Sequence, residues 1–407
     1  MSETLTTTTD ESTQHTARNP HQPHPSADEQ AAAMVGEFAE RLVGMLGAAT
    51  ELLTVELGRR FGLYRTLHER GRPMTAAHFA RAARIAPRYA KEWLEQQAAA
   101  GIIAVEEPGT FGHERRFLLP EHHVPVLVDE THPAHTAPVA GILAGIARAF
   151  PALVADFRHG RGVAFDEYGT ELRRGLGALN RPGFIHELRG WVDLLPDRAA
   201  ALDSGGTVLD AGCGIGWSTI ALATEFPNAR VVGVDLDDSS IEEARVNAHE
   251  AGVSSRVEFV LGNAADAAAL RKAAFEAEAA EDGAIEATDA AASGFDLVTV
   301  FEALHDMGHP IDALAEFRSV LRPGGALLVA DERVADEFHA DADGAERLLF
   351  AMSVLHCLPA TTAESGEVAN GTMLRTPTVR RWAAEAGFGR VDVLDIDDPF
   401  WRFYRID

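Results

Sequence analysis

Three glycines on alternate positions, Gly212, Gly214 and Gly216, restrict this chain more than any other feature of it. They close Thr207-Val-Leu-Asp-Ala-Gly-Cys-Gly-Ile-Gly-Trp-Ser-Thr219, which reads as a short buried strand, Val208 to Asp210, that breaks into glycines and enters a helix at about Trp217. Residues without Cβ let the backbone turn sharply at the carboxyl end of a strand and let a ligand lie against it. A dinucleotide fingerprint, Gly-x-Gly-x-x-Gly, would need glycine at 217, where Trp stands. A second apolar run, Val231-Val232-Gly233-Val234, ends at Asp235 and Leu236, about twenty residues beyond the loop. An acidic strand end at that distance can take both hydroxyls of a ribose.

The chain that carries this unit has 407 residues, too many for one ordinary domain, and 46% of them are hydrophobic, ample for a core. Its net charge of -26 argues against nucleic acid as a partner, because a polyanion is repelled before contact. Lys91 and Lys272 are the only lysines, a composition that suits a GC-rich genome or a salt-adapted cytoplasm. No run approaches the ~20 apolar residues of a membrane span, and the N-terminus has no signal-peptide core, so a soluble cytoplasmic protein with no membrane partner is expected. Cys213 and Cys357 make no disulfide framework and no metal-ligand cluster, and no metal is expected.

Residues 1–30, polar and nearly free of large apolar side chains, are expected to be a disordered tail. From residue 31 the pattern turns helical: Val35, Phe38, Leu42, Val43, Leu46, Leu52 and Leu53 mark a long amphipathic helix. A trihelical unit follows, from Leu63 to His68, from the cap Thr75 through Arg84, and from Pro87 to Ala100 with Gly101 as its stop. Ile102 to Val105 and Arg116 to Leu119, separated by Glu-Glu-Pro-Gly-Thr, read as a two-stranded wing, so residues 31–125 resemble a winged helix. Between residues 34 and 120 stand twelve Arg and Lys against ten Asp and Glu, which is no basic face for DNA.

Residues 126–200 form a helical connector, including Ile142, Leu143, Ile146 and Phe150 ahead of Pro151. Residues 201–407 alternate strand and helix, as a mostly parallel doubly wound α/β sheet does. Further strands are Val257 to Leu261, ending at Gly262-Asn263-Ala264, then Phe295 to Val300, and Ala326 to Asp331 after a Leu321-Arg-Pro-Gly-Gly325 turn. Residues 265–294, rich in Ala and Glu, read as a solvated helix and loop. Val391 to Ile396 and Phe400 to Ile406 make a terminal hairpin, with the last strand antiparallel at the sheet edge. An apolar excursion, residues 334–374, is expected to form a lid or pocket wall above the strand ends.

The Asp-x-Gly-x-Gly-x-Gly loop of Asp210 to Gly216 resembles motif I of class I S-adenosylmethionine (SAM) methyltransferases, and the Leu-Arg-Pro-Gly-Gly turn resembles a landmark of the same class. With Tyr168-Gly169, Asn180-Arg181-Pro182, Phe301-Glu-Ala-Leu-His-Asp-Met307, Ala330-Asp-Glu-Arg-Val334, Ser353-Val-Leu-His-Cys-Leu-Pro359 and Phe400-Trp-Arg-Phe-Tyr-Arg405, residues 31–407 resemble a prokaryotic family of these enzymes with an N-terminal winged helix. The resemblance implies a Rossmann-like methyltransferase sheet and SAM as cofactor. It places around that cofactor Asp210, Gly212, Cys213, Gly214, Gly216, Asp235 and Leu236, Asn263 and Ala264 at the adenine, Phe301 after the fourth strand, and Tyr168 over the cofactor carboxylate.

His305-Asp306 resembles the His-Asp pair of winged-helix O-methyltransferases, in which His is the base, although Met307 stands where Trp commonly follows. His305 is therefore the expected general base, oriented by Asp306 or Glu302. The expected activity is methyl transfer to a small molecule, at a hydroxyl oxygen, by a homodimer whose winged helix dimerises and covers the substrate. Two other readings stay open, a SAM-responsive winged-helix transcriptional regulator and a methyltransferase acting on protein or RNA.

Overall fold

The computed structural model describes residues 26–106, 114–266, 270, 294–364 and 368–407. The chain divides at Thr50 into two units. Over its described residues the first is the leading part of a helix that spans Ala27–Arg60, so residues 27–30, expected in a disordered tail, are helical. Ser26 and Glu29 explain the start: the Ser26 N–H donates to the Glu29 carboxylate at 2.7 Å and the Glu29 N–H to Ser26 Oγ at 3.3 Å, a reciprocal capping box. Met34, Val35, Phe38, Leu42, Val43 and Leu46 are all exposed on this helix.

The second unit begins with the winged helix. Helices Leu63–Arg70, Ala76–Ala83 and Pro87–Ala99 pack around Tyr64, Phe79 and Trp93, with Phe79 stacked on Trp93 at 5.8 Å. Its sheet has three strands, β1 (Met74–Thr75), β2 (Ala104–Glu106) and β3 (Arg116–Leu118), in the order β1-β3-β2. The two-residue β1 is too short to show a period, and its Thr75 also caps the next helix by accepting from the His78 N–H. The wing starts later than expected because the Ile102 and Ile103 N–H groups still donate to Gln97 O at the helix end. Most of the expected wing turn lies outside the described residues.

Two helices, Val139–Asp156 and Gly169–His186, form the connector, and both contain an internal proline. The first helix continues past Pro151, and Leu153 beyond it is buried against the same cluster as Ile142 and Ile146. The backbones approach closely: a Cβ on Gly145 would stand 2.5 Å from Leu172 Cβ, and one on Gly175 would stand 2.9 Å from Ile142. Helix Val139–Asp156 is long and apolar enough to cross a membrane by composition, which the sequence reading had excluded. Its buried side packs on Tyr168 and Leu172, as a core helix does.

The large sheet contains β4 (Thr207–Ala211), β5 (Arg230–Asp235), β6 (Val257–Leu261), β7 (Phe295–Phe301), β8 (Leu321–Glu332), β9 (Val391–Val393) and β10 (Trp401–Ile406), in the order β6-β5-β4-β7-β8-β10-β9. The first five strands of that order are parallel. Helices cover both faces, so the strands read as unbroken apolar runs: Val208, Val231 and Leu297 enter one core and Leu209, Val232 and Val298 the other. The last strand is antiparallel, but it is not the edge, since β10 pairs with β8 on one side and β9 on the other. The Leu-Arg-Pro-Gly-Gly turn lies inside β8, where residues 322–325 bulge between the Phe295–Leu321 and Leu297–Ala326 pairs. Chain order reverses between β4 and β7, which opens a crevice at their carboxyl ends. Of the Ala/Glu-rich run 265–294, all but residues 265, 266, 270 and 294 lies outside the described residues.

Above these strand ends stands the apolar excursion, as helix Gly344–Met352, a π-helical turn Ser353–Cys357 and helix Leu358–Glu364. Met352 and Leu355 pack on the connector core, and the Val163 N–H donates to Pro359 O at 3.0 Å.

Candidate active site

The glycine loop takes its shape from three left-handed residues. Gly212, Gly214 and Gly216 have φ of +74°, +51° and +86°, a region that L side chains avoid. Gly212 and Gly216 are also sterically confined: an added Cβ would meet Ala303 Cβ at 2.5 Å in the first case and Ala244 and Phe259 at 2.9 Å in the second. At Gly214 the same Cβ would meet nothing within 4 Å, so the loop is uncrowded at this position. Asp235, at the end of β5, accepts from the Gly214 N–H at 2.8 Å and the Asp237 N–H at 2.9 Å. Leu236 is exposed beside it, and Asn263 and Ala264 are half-buried beyond β6, with Asn263 Oδ1 accepting from the Ala265 N–H at 2.8 Å.

Four residues expected at the cofactor have their side chains engaged within the protein. Asp210 is buried and accepts from Ser218 Oγ and Thr219 Oγ1 at 2.6 Å each and from Thr299 Oγ1 at 2.9 Å, so its carboxylate pins the helix start to β4 and β7. Burial pushes its pKa up, against the three hydroxyls. The Cys213 thiol is buried in the core that includes Val231 and Phe259, leaving only its backbone on the loop. The Phe301 ring packs on Phe184 and Trp191, at 5.5 and 5.9 Å. Tyr168 is buried, donates its hydroxyl to Leu355 O at 2.8 Å and sets its ring edge-on to His356, so it ties the excursion to the connector.

Asp210→Ala is therefore expected to act on stability. Three buried hydroxyls would lose their common acceptor, and the unfolding free energy should fall by about 2–4 kcal/mol. Denaturant unfolding, with cofactor titration of the folded fraction alongside, measures both effects; unchanged stability with lost cofactor affinity would reverse the assignment.

Beyond β7 the chain turns through Glu302, a non-glycine residue at φ +52°, whose N–H donates to Ala330 O at 2.8 Å. A short 3-10 turn, Leu304–Asp306, then buries His305, which is 1% exposed. Its Nδ1 lies 2.9 Å from Asp331 Oδ1, its backbone N–H donates to Asp331 Oδ2 at 3.2 Å, and its Nε2 lies 3.4 Å from Asp306 Oδ1. The orienting carboxylate is thus Asp331 at the end of β8, while Glu302, offered for that role by the sequence, accepts from Asn180 Nδ2. Strand register explains the substitution: Phe301 pairs with Ala330, which brings Asp331 level with the turn after β7. The strand-end acid in Ala330-Asp331-Glu332 was the available signal.

Burial alone would disfavour a charged imidazole at His305, but Asp306 and Asp331 outweigh it and hold its pKa well above the ordinary histidine value. Burial raises Glu302 and Glu332 nearby and pushes the Cys357 thiol up to about 12. The π-helical turn brings Cys357 to this point, so that donor atoms of His305, Asp306 and Cys357 lie within 4.8 Å of one another. The convergence depends on the fold, since Cys357 lies about fifty residues from His305 and Asp306 in the sequence.

Five parallel strands, an antiparallel β10 next to them, a glycine loop at the point of reversal and an acid at the end of β5 define the class I SAM-dependent methyltransferase fold. The chain joins a winged helix to a SAM-dependent methyltransferase domain: residues 202–368 match the family model of a methyltransferase domain, and residues 48–128 match that of an Rv2258c-like winged HTH domain.

A ubiquinone biosynthesis O-methyltransferase of Thiobacillus denitrificans is 27% identical over 229 residues, 55% of this chain and 82% of that protein. A 27-O-demethylrifamycin SV methyltransferase of Amycolatopsis mediterranei is 31% identical over 140 residues, 34% of this chain and less than half, 43%, of its own length. Among solved structures, the mitomycin 7-O-methyltransferase MmcR has a TM-score of 0.61 at 18% identity, over 92% of this chain and 99% of that one. Human N-acetylserotonin methyltransferase in complex with SAM has a TM-score of 0.57 at 17% identity, over 94% and 99%. The residues here fit SAM: Gly214 leaves the loop bare of neighbours, and Asp235 sets a carboxylate at the end of β5 beside it, hydrogen-bonded to the Gly214 N–H.

Proposed function

We propose that the protein transfers the methyl group of SAM to a hydroxyl oxygen of a small molecule, with His305 accepting the hydroxyl proton. The observation that carries this reading is the buried His305–Asp331 pair at the carboxyl ends of β7 and β8, joined to the glycine loop through Gly212 and Ala303. Relatives in the biosynthesis of ubiquinone and of rifamycin are O-methyltransferases, which supports oxygen as the acceptor atom.

SAM brings a sulfonium, itself a strong methyl donor, so the chain's work is to orient the acceptor and to take a proton. Orientation of reacting groups contributes ~7–11 kcal/mol toward a barrier. The excursion, anchored to the connector through Tyr168 and Val163, walls the crevice and limits the size of the acceptor. Asp331 holds the imidazole through Nδ1 and leaves Nε2 as the atom that accepts once the ring has lost its own proton; because Asp306 and Asp331 raise its pKa above the ordinary histidine value, kcat should rise with pH through that raised pKa. Incubation with labelled SAM and a size-fractionated metabolite extract tests the reading; label appearing only in protein or RNA would contradict it.

The protein is proposed to act in the cytoplasm as a homodimer. Exposed Met34, Val35, Phe38, Leu42, Val43 and Leu46 lie on one long helix and favour coverage by a second copy. Light scattering at micromolar concentration should give twice the 43.7 kDa chain mass, and a monomer would reject it. The near balance of charge in the winged helix supports a dimerising and substrate-covering role over DNA reading; a mobility shift with promoter DNA at low salt would overturn that.

A further inference from the structure

We propose that His305, Asp306 and Cys357 form a binding site for a divalent metal ion of the zinc class. In a tetrahedral site with bonds of about 2.1 Å to nitrogen and oxygen, neighbouring donor atoms stand about 3.4 Å apart. His305 Nε2 and Asp306 Oδ1 are 3.4 Å apart, and Asp306 Oδ1 is a buried atom with no hydrogen-bond partner among the described residues. Cys357 supplies the third donor, and all three lie within 4.8 Å of one another, so closing on an ion takes movements of about 1 Å.

The surroundings are those of a metal site. Asp331 holds His305 through Nδ1, which fixes the ring and leaves Nε2 directed at Asp306, the carboxylate–histidine arrangement that supports metal ligands. His356 is 2% exposed, places Nδ1 3.5 Å from Cys357 Sγ, and has no partner for Nε2 among the described residues. Both His356 and Cys357 ride on the π-helical turn Ser353–Cys357, a rare distortion that is frequent at functional sites. One imidazole, one carboxylate and one thiol select zinc or cobalt over magnesium or calcium, which take oxygen donors. Binding replaces the thiol proton of Cys357 and the Nε2 proton of His305 with metal–sulfur and metal–nitrogen bonds and releases both protons to solvent, so affinity should rise with pH.

Nε2 is also the atom that accepts the hydroxyl proton in the reading above, so occupancy by a metal and action as a base exclude each other. Zinc should therefore inhibit methyl transfer. This consequence rests on that reading; the binding does not.

The test is titration of Co(II) into the full-length, chelator-treated protein. A thiolate-to-cobalt charge-transfer absorption is expected, lost in Cys357→Ser, retained in Cys213→Ser, and requiring about 10- to 100-fold more cobalt in Asp331→Asn. Zinc should lower the methyl-transfer rate of the wild-type protein, with recovery on chelation. Absence of the absorption in protein that is folded by circular dichroism, or its persistence in Cys357→Ser, overturns the site. The absorption together with an unaltered rate under zinc supports the site and overturns the role of His305 as base. Lack of methyl transfer in the metal-free protein with every acceptor fraction overturns the proposed function and leaves the binding result standing.

Discussion

His305→Ala should lower kcat by about 10²- to 10⁴-fold and leave SAM affinity close to wild type. A hydroxyl with a pKa near ~10 keeps its proton at neutral pH, so an acceptor at the methyl group speeds transfer. His305 is placed for this by Asp331, which fixes the ring and compensates the charge as the proton arrives. Asp331→Asn keeps the shape but removes that charge, and its kcat should fall in the same direction by a smaller factor. Steady-state kinetics on the acceptor found by metabolite labelling, with thermal unfolding of each variant, separates the two roles a buried histidine can have. Loss of stability with a rate per folded molecule within a few-fold of wild type would show that His305 only packs, leaving orientation to carry catalysis.

The parts of this protein that local chemistry dictates were legible in its sequence. Alternate glycines after a buried strand, Thr75 ahead of its helix and Gly101 after the next each act within a few residues, and each stands where the pattern placed it. What the sequence did not reveal depends on pairing across the sheet. Asp331 becomes the partner of His305 only because β8 lies beside β7 in one register, and Glu302 turns away to Asn180 although it is nearer in the chain. Likewise β10 sits inside the sheet because a third strand, β9, covers it. That the side chains of Asp210, Cys213, Phe301 and Tyr168 turn into the protein was not legible for one reason: a motif names a position, and the side chain there can point into the core as readily as at a ligand.

Loss of the cofactor should follow from changes at two residues, one in the glycine loop and one at the end of β5. Gly214→Val puts a β-branched residue at φ +51° and fills the bare side of the loop, so SAM affinity should fall by about 100-fold or more, or about 2.7 kcal/mol. Asp235→Ala removes a carboxylate that now accepts two backbone N–H groups and would accept ribose hydroxyls, at a cost of roughly 1.5–3 kcal/mol of binding. Calorimetric titration of S-adenosylhomocysteine into wild type, Gly214→Val and Asp235→Ala tests the central claim, that this crevice is the cofactor site, most directly. The expected result is one site per chain in the wild type and affinity lost by those factors in both variants with folding intact; wild-type affinity in both would contradict it.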